Sequence, residues 1–544
     1  MVFSSELLVA TKAYFVFSDQ QLKTRHFKGV SVRAAVIDIG SNSIKLAIGE
    51  AEAGSQDINI LEFLKSVVPI SKHTFLQGII PQEVINQTVS ILEKYKQVIS
   101  EYEVTNVTAI ATTAIREARN SDIFIDTVLR KTGIKVEVLA VGDVVFYIDA
   151  YLSYKLKDTY PIHDKNLMIA EIGTGGMDIS ILKKGFTVFT TGLSIGTFRL
   201  KQLVDELEGS VEENIEAVKE SIENEFSLLK RTIPSAKLDD IILIDENYSP
   251  YLTHFLPKKK IESKFYQISE EENSEVLSIL SDSSSEEIAR KYKVPHELAN
   301  TITAYAIILS NLYKFLQGKS VYIFETSLAE AILANSLMGI ELAKKYDKTN
   351  QLISVAKFIC QQYNVDMDHA QYVAGASKTL FDNLKETMGL AESDALYLIL
   401  AAWLHDIGMF IHNRSHHKHT EYILNTISLF RLTEEEMKMI ACIARYHRKA
   451  PPSPVHMMYN SLPNAKRILV QKLSAILRIA NALDRSHRQK AKSIEVKVNR
   501  NEDVSVVART SQNFVLEKTD FAGKKKFFEE ITGNRISLAI KQEA

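Results

Sequence analysis

Cysteine is nearly missing from this chain. Cys360 and Cys442 are the only two in 544 residues, too few for a disulfide framework or a thiolate metal site. That scarcity suits a reducing compartment and points to the cytoplasm. Long apolar runs are missing too: the longest, Ala395 to Leu404, is too short to span a bilayer, so no membrane partner is expected. The first residues, with Glu6 and Lys12 interrupting their apolar neighbours, lack the basic start and apolar core of an export signal. Nor is there an excess of either charge: the formal net charge is −2, which leaves no global basic field to recruit nucleic acid. A polyanion site would therefore have to be local.

What is present is a large, ordinary interior and one loop pattern written twice. At 46% hydrophobic and 24% charged, the chain can bury several cores and should divide into three or four domains. Val36-Ile37-Asp38-Ile39-Gly40-Ser41-Asn42-Ser43 leads into Ile44, Leu46 and Ile48. Ile169-Ala170-Glu171-Ile172-Gly173-Thr174-Gly175-Gly176 leads into Met177, Ile179 and Ile181. Each copy reads as an apolar strand, an acid, a spacer, a glycine, a tight turn of small residues and a second, alternating strand. Asp38 and Glu171 stand 133 residues apart, as do Gly40 and Gly173. Glycine and small hydroxyl residues let backbone N–H groups approach phosphate oxygens, while an acid at the strand end can hold a divalent cation or orient water. Two such loops facing each other would clamp a polyanion from both sides.

Strand signals cluster at 34–50, 106–112, 135–141, 167–191, 240–245 and 320–324, with amphipathic helices such as 86–102 and 214–230 between them. This alternation argues an α/β fold of two related subdomains facing a cleft. From about 341 to 488 the pattern is helical, and 494–498 with 504–508 reads as a hairpin in a small closing sheet. The resulting division is an extension of unassigned role (1–31), two subdomains (32–160 and 161–340), a helical domain (341–490) and a small β/α domain (491–544). The Ser- and Glu-rich stretch 270–287 is the best candidate for a mobile surface segment. Ser41, Asn42 and Ser43 supply donors for phosphate, and Arg116 supplies a planar fork suited to bidentate phosphate binding near a helix start.

With Ala111-Thr112-Thr113-Ala114-Ile115-Arg116-Glu117-Ala118-Arg119-Asn120 between them, the two loops resemble those of the exopolyphosphatase and guanosine pentaphosphate phosphohydrolase family. The resemblance implies a fold of duplicated actin-like ATPase (ribonuclease H-like) subdomains, followed by an all-α HD-type domain and a small C-terminal sheet. It also implies inorganic polyphosphate or a guanosine polyphosphate as partner, Mg²⁺ held by Asp38 and Glu171, phosphate held by Gly173, Thr174, Gly175, Gly176 and Arg116, and a homodimer. The chain departs from the family at three places. A Gly-x-Glu-Glu-Ala segment carrying the general base is replaced by Val141-Gly142-Asp143-Val144-Val145, which leaves Asp143 as the surviving acid. A valine at 144 cannot take a proton from water. The second loop has Glu171 where Asp is usual and Asp178 where Glu is usual. A third glycine-rich loop is replaced by Asp245-Glu246-Asn247-Tyr248, whose acids would repel a polyphosphate.

In the helical part, His405-Asp406 follows an apolar helix, with His369 upstream and Asp484 downstream. Adjacent His and Asp can share one metal. The four resemble the ligand pattern of the HD phosphohydrolase superfamily, which implies Mn²⁺, Fe²⁺ or Zn²⁺. His419 and His447 match positions that bind a second metal or phosphate in some of its members. The basic run of His416, His417, Lys418, Arg445, His447, Arg448 and Lys449 offers a polyanion channel as an alternative. The expected activity is removal of a terminal phosphate by metal-assisted attack of water. The alternatives are a nucleotide phosphohydrolase at the HD site and a non-catalytic sensor that binds polyphosphate or the alarmone.

Overall fold

The structure is a computed structural model that describes residues 31–52, 57–208, 211–232, 238–256, 259, 263–316, 319–448 and 450–542. The expectation for 1–31 lies outside the described residues but for Ser31, and Lys449 lies outside them as well.

Two sheets carry the first half of the chain. The first contains β1 (Ser31–Ile39), β2 (Ser43–Glu52), β3 (Asn59–Val67), β4 (Asn106–Ala111) and β5 (Val136–Val138), in the order β3-β2-β1-β4-β5. The second contains β6 (Asn166–Ile172), β7 (Met177–Lys183), β8 (Phe186–Leu193), β9 (Asp240–Ile244), β10 (Phe265–Ile268) and β11 (Ser320–Phe324), in the order β10-β11-β9-β6-β7-β8. Leaving out β10, the second order repeats the first. In both, the loop-bearing hairpin is antiparallel and its first strand pairs parallel with the next. Central strands buried on both faces need continuous apolar runs, which is why β1 and β6 read as Ala-Ala-Val-Ile and Leu-Met-Ile-Ala ahead of their acids. The helices that follow β5 and β11, Val141–Lys155 and Leu328–Ala343, pack on each other where the halves meet.

Beyond these halves comes a helical region, Lys348–Gln362 to Asn464–Ala482, and then β12 (Ser493–Val498), β13 (Val504–Arg509) and β14 (Ile536–Lys541) in a three-stranded sheet. Its hydrophobic interior, with Phe381, Trp403 and Tyr446, is continuous with that under the junction helices. Among the described residues, no helix is long and apolar enough to cross a membrane.

The stretch expected to be a mobile surface segment is instead two helices, Glu270–Ser281 and Ser285–Tyr292. Ser269 with Glu272, and Ser284 with Glu287, form reciprocal caps that satisfy the first backbone N–H groups of each. The residues that made the segment look disordered are its helix-start signals.

Candidate functional site

The two loops meet at one cavity of about 380 Å³. Each turn is closed by the same bond, Gly40 N–H to the Ser43 carbonyl (3.0 Å) and Gly173 N–H to the Gly176 carbonyl (2.8 Å). Among the described residues, no backbone carbonyl takes the N–H of Ser41, Asn42, Thr174 or Gly175, which leaves these donors for an anion. A side chain at Gly175 would come within 2.3 Å of the Phe75 ring and 3.3 Å of Ser41 Oγ, so only glycine lets the loops approach this closely. Gly196 is under the same constraint, since a Cβ there would lie 2.3 Å from the Thr174 carbonyl oxygen. Arg199 locks the second loop in place: its Nε donates to the Gly175 carbonyl (2.9 Å), its Nη2 reaches Glu117 (2.8 Å), and its guanidinium lies 4.2 Å from the Phe75 ring centre.

Ladder register sets the charges. Asp38 pairs across β1 and β2 with Lys45, while Glu171 pairs across β6 and β7 with Asp178. All four line the cavity. Lys45 Nζ lies 3.7 Å from Asp38 and is bonded to Glu246 from the opposite half. One Asp38 oxygen, Oδ1, is buried without a hydrogen-bond partner. Desolvation, reinforced by Asp178, pushes the Glu171 carboxyl up to about 8. Asp178 is pushed up to about 6 by desolvation, with the Arg116 charge pulling the other way. Asp38, Glu171, Asp178, Asp245 and Glu246 face Lys45 and Lys65 here, a donor set rich in oxygen and short of positive charge. Such a site fits a hard divalent cation.

Two expectations need correction. Asp143 does not line the cavity; its carboxylate accepts the backbone N–H of Arg431 from the helical region. The neighbouring Val144 lines the wall instead, because successive residues of the helix Val141–Lys155 point about 100° apart. Arg116 is the fourth residue of the short helix Thr113–Glu117, near a helix start as expected, but it does not line the cavity and donates to the Leu139 carbonyl (2.7 Å) and Thr113 Oγ1 (3.3 Å). It touches the site through its charge on Asp178. In place of a third glycine-rich loop, the buried Asp245 carboxylate accepts the N–H groups of Asn247 (2.9 Å), Tyr248 (3.2 Å) and Ser249 (2.6 Å). Lys45 and Asp178 were absent from the expected site. They stand 133 residues apart like the two acids, and that repeat was the signal for them.

In the helical region His369, His405, Asp406 and Asp484 do converge. His369 Nδ1 is 2.8 Å from Asp484, its Nε2 is 3.9 Å from Asp406, and His405 Nε2 is 3.5 Å from Asp406. Asp484 does not face Asp406: it orients His369 and accepts from Arg488, Gln489 and the Gln489 side chain. Asn481, in the last turn of the helix Asn464–Ala482, donates to His405 Nε2 (2.9 Å). His447 is in place at 3.6 Å from Asp406, but His416, at 3.2 Å, takes the position expected of His419. Of the described members of the basic run, His416, His447 and Arg448 line one cavity, while Arg445 is tied to Glu421.

Two α/β halves with repeated strand order, closing paired glycine loops on a carboxylate-lined cleft, define a protein of the duplicated actin-like fold. The chain belongs to the Ppx/GppA phosphatase family: the family model matches residues 47–339, and the model of its domain III matches residues 353–522. It is 24% identical over 460 residues to a guanosine-5'-triphosphate,3'-diphosphate pyrophosphatase of Pseudoalteromonas translucida, covering 82% of this chain and 86% of that one. It is 28% identical over 108 residues to exopolyphosphatase 1 of Mycobacterium leprae, covering 20% of this chain and 32% of that one. The solved exopolyphosphatase of Cytophaga hutchinsonii shares the fold, with a TM-score of 0.50 at 20% identity, covering 57% of this chain and 99% of that one.

Proposed function

We propose that the cleft hydrolyses the terminal phosphoanhydride bond of inorganic polyphosphate or a guanosine penta- or tetraphosphate. The observation that carries this reading is the meeting of two loops with open N–H donors over Glu171 and Asp178. A water oxygen attacks the terminal phosphorus, the bridging P–O bond breaks, and the water gives a proton to a carboxylate; the products are orthophosphate and a chain one phosphate shorter. Asp178 is the better base of the two: at about 6 it is mostly ionised at neutral pH, whereas Glu171 at about 8 is mostly protonated there unless a cation displaces its proton. Mg²⁺ would be held by Asp38 and Glu171 and would supply neutralisation of the phosphate oxygens. Loop N–H groups hold the chain, and Arg116 adds positive potential beside Asp178.

The deciding measurement is orthophosphate release from polyphosphate and from guanosine pentaphosphate with Mg²⁺, for the wild type and Asp178→Asn. Release lost in the variant supports hydrolysis at this cleft. Tight binding of either compound with no release by the wild type would instead support a non-catalytic sensor.

A further inference from the structure

The cleft has an exposed rim and a covered end. Lys65, Val67, Pro295 and Glu297 line the cavity at its rim and are exposed. At the tips of the two loops the opposite holds, since Ser41 and Gly175 line the same cavity and are buried. Loop tips that merely faced each other would be open to water on their outer side. They are covered by the Phe75 ring, which would meet any side chain at Gly175, and by the Arg199 guanidinium, 4.2 Å from the centre of that ring.

Each half of this cover is tied to its own loop. The helix Ile70–Gln77, which carries Phe75, is fastened to the first loop: Ser71 N–H donates to the Ser41 carbonyl (2.8 Å), and Val68 N–H, just ahead of the helix, donates to the Asn42 carbonyl (3.1 Å). Its far end is held by Arg119, whose Nη2 donates to the Gln77 carbonyl (2.9 Å). The helix Thr197–Glu206, which carries Arg199, starts on the second loop, with Thr197 N–H on the Gly173 carbonyl (3.1 Å) and Phe198 N–H on the Thr174 carbonyl (3.0 Å). Arg199 then crosses to the first half and meets Glu117 at the end of the helix Thr113–Glu117. The cover is therefore a staple between the halves, held at both ends. It also offers a polyanion little. With Nε on the Gly175 carbonyl and Nη2 on Glu117, the Arg199 charge is already matched, so a phosphate pushed past the loop tips would lose water against an aromatic ring and a carboxylate. On the rim side, by contrast, Lys45 and Lys65 stand along the wall.

We propose, building on the hydrolytic reading of this cleft, that Phe75 and Arg199 make it blind and so set its specificity for a chain end. Substrate enters from the rim, and only a terminal phosphate reaches Asp178. An internal phosphate has chain on both sides, and its second arm would need the space that the Phe75 ring fills. Phe75 and Arg199 thus decide which phosphate is attacked without touching it. With the ring removed, a chain can pass between the loop tips: water then adds to an internal phosphorus, the bridging P–O bond breaks, a carboxylate takes the proton of the water, and one chain becomes two.

The test compares long-chain polyphosphate with the same polymer whose two terminal phosphates each carry a bulky amine through a P–N bond. The full chain with Mg²⁺ is followed for binding by isothermal titration and for cleavage by separating chain lengths on a gel. Wild type should bind and shorten the free-ended polymer and discriminate against the capped one by at least about a hundredfold, in affinity and in rate. Phe75→Ala should reduce that ratio to below about tenfold and yield fragments of intermediate length, while Phe75→Trp, which keeps the cover, should keep the wild-type ratio. Wild-type protein that treats the two polymers alike overturns the blind cleft, and that comparison needs no variant to fold. A Phe75→Ala protein that acts on free ends yet still rejects capped chains overturns the role of Phe75. Wild type that binds free-ended polyphosphate without cleaving it would fail the hydrolytic reading alone, and the affinity ratio would still decide the blind end. Wild type that binds neither polymer overturns the proposal, while release from guanosine pentaphosphate would leave the hydrolytic reading standing.

Discussion

The two hairpins that form the cleft have the same turn, the same closing bond and the same strand order, yet they differ at the residue opposite the strand-end acid. In the first, Asp38 faces Lys45 and the pair is close to neutral; in the second, Glu171 faces Asp178 and two carboxylates share one desolvated corner. Like charges so placed cannot both remain ionised without a cation or a proton. The duplication therefore yields division of labour: the first half brings positive charge to the cavity, and the second brings acids whose proton affinity lies near neutrality.

The strongest way to break this comparison is to neutralise the second pair. Asp178→Asn keeps the shape and removes the proton acceptor, and phosphate release should fall by a factor on the order of 10² to 10⁴, the range for a positioned base. Initial rates with polyphosphate and Mg²⁺ check this, and a variant at wild-type rate would move the base elsewhere. Arg116→Ala comes next: polyphosphate affinity, read by titration, should weaken by about 1.5 to 3 kcal/mol, the range for an interaction with a charged partner. An unchanged affinity would confine Arg116 to its bonds with Leu139 and Thr113.

The pH profile sharpens the same contrast. Asp178 must be ionised to accept a proton, and desolvation has raised it to about 6. Below that value it fills with protons, so kcat/KM should drop about tenfold per pH unit on the acid side and level off above it. The acid limb should vanish from the residual activity of Asp178→Asn. A limb centred at the ordinary aspartate value, near 4, would mean that desolvation does not govern this group.

Much of this cleft was legible in the sequence, because an acid, a glycine and small turn residues at a strand end are local features, and their repetition at a fixed offset marks the halves as related. What stayed hidden depends on register and rotation. Asp178 matters through its ladder partner Glu171, and Asp143 fails as a site residue because one step along a helix turns a side chain away from the cavity that Val144 lines. In the helical region, Asn481 lies in the last turn of the helix Asn464–Ala482 and Asp484 just beyond its end, while His416 and His419 share the helix His416–Thr426, so ligand-type spacing alone does not say which of each pair turns toward the cluster. The capped helices at 270–292 were written in Ser-x-x-Glu spacing, while composition alone suggested a loose segment.

The smallest expected effect concerns the contact across the cleft, where the first half's lysine meets an acid of the second. Lys45 is bonded to Glu246 and lies 3.7 Å from Asp38, and beside it Lys65 donates to Asn247 at 3.0 Å. A phosphate entering the cavity competes with Glu246 for the Lys45 ammonium. Glu246→Gln removes the competing charge and one unit of repulsion while keeping the side chain's length. Both partners are partly exposed, so solvent screens the pair and the gain should be modest, about 0.5 to 1 kcal/mol, or roughly two- to fivefold tighter polyphosphate binding at low salt. The gain should shrink as ionic strength rises and the Debye length falls below the spacing of successive charges. Isothermal titration of wild type and Glu246→Gln at two salt concentrations checks both points. Weaker binding by the variant would reverse the assignment, making Glu246 the group that holds Lys45 in place for substrate.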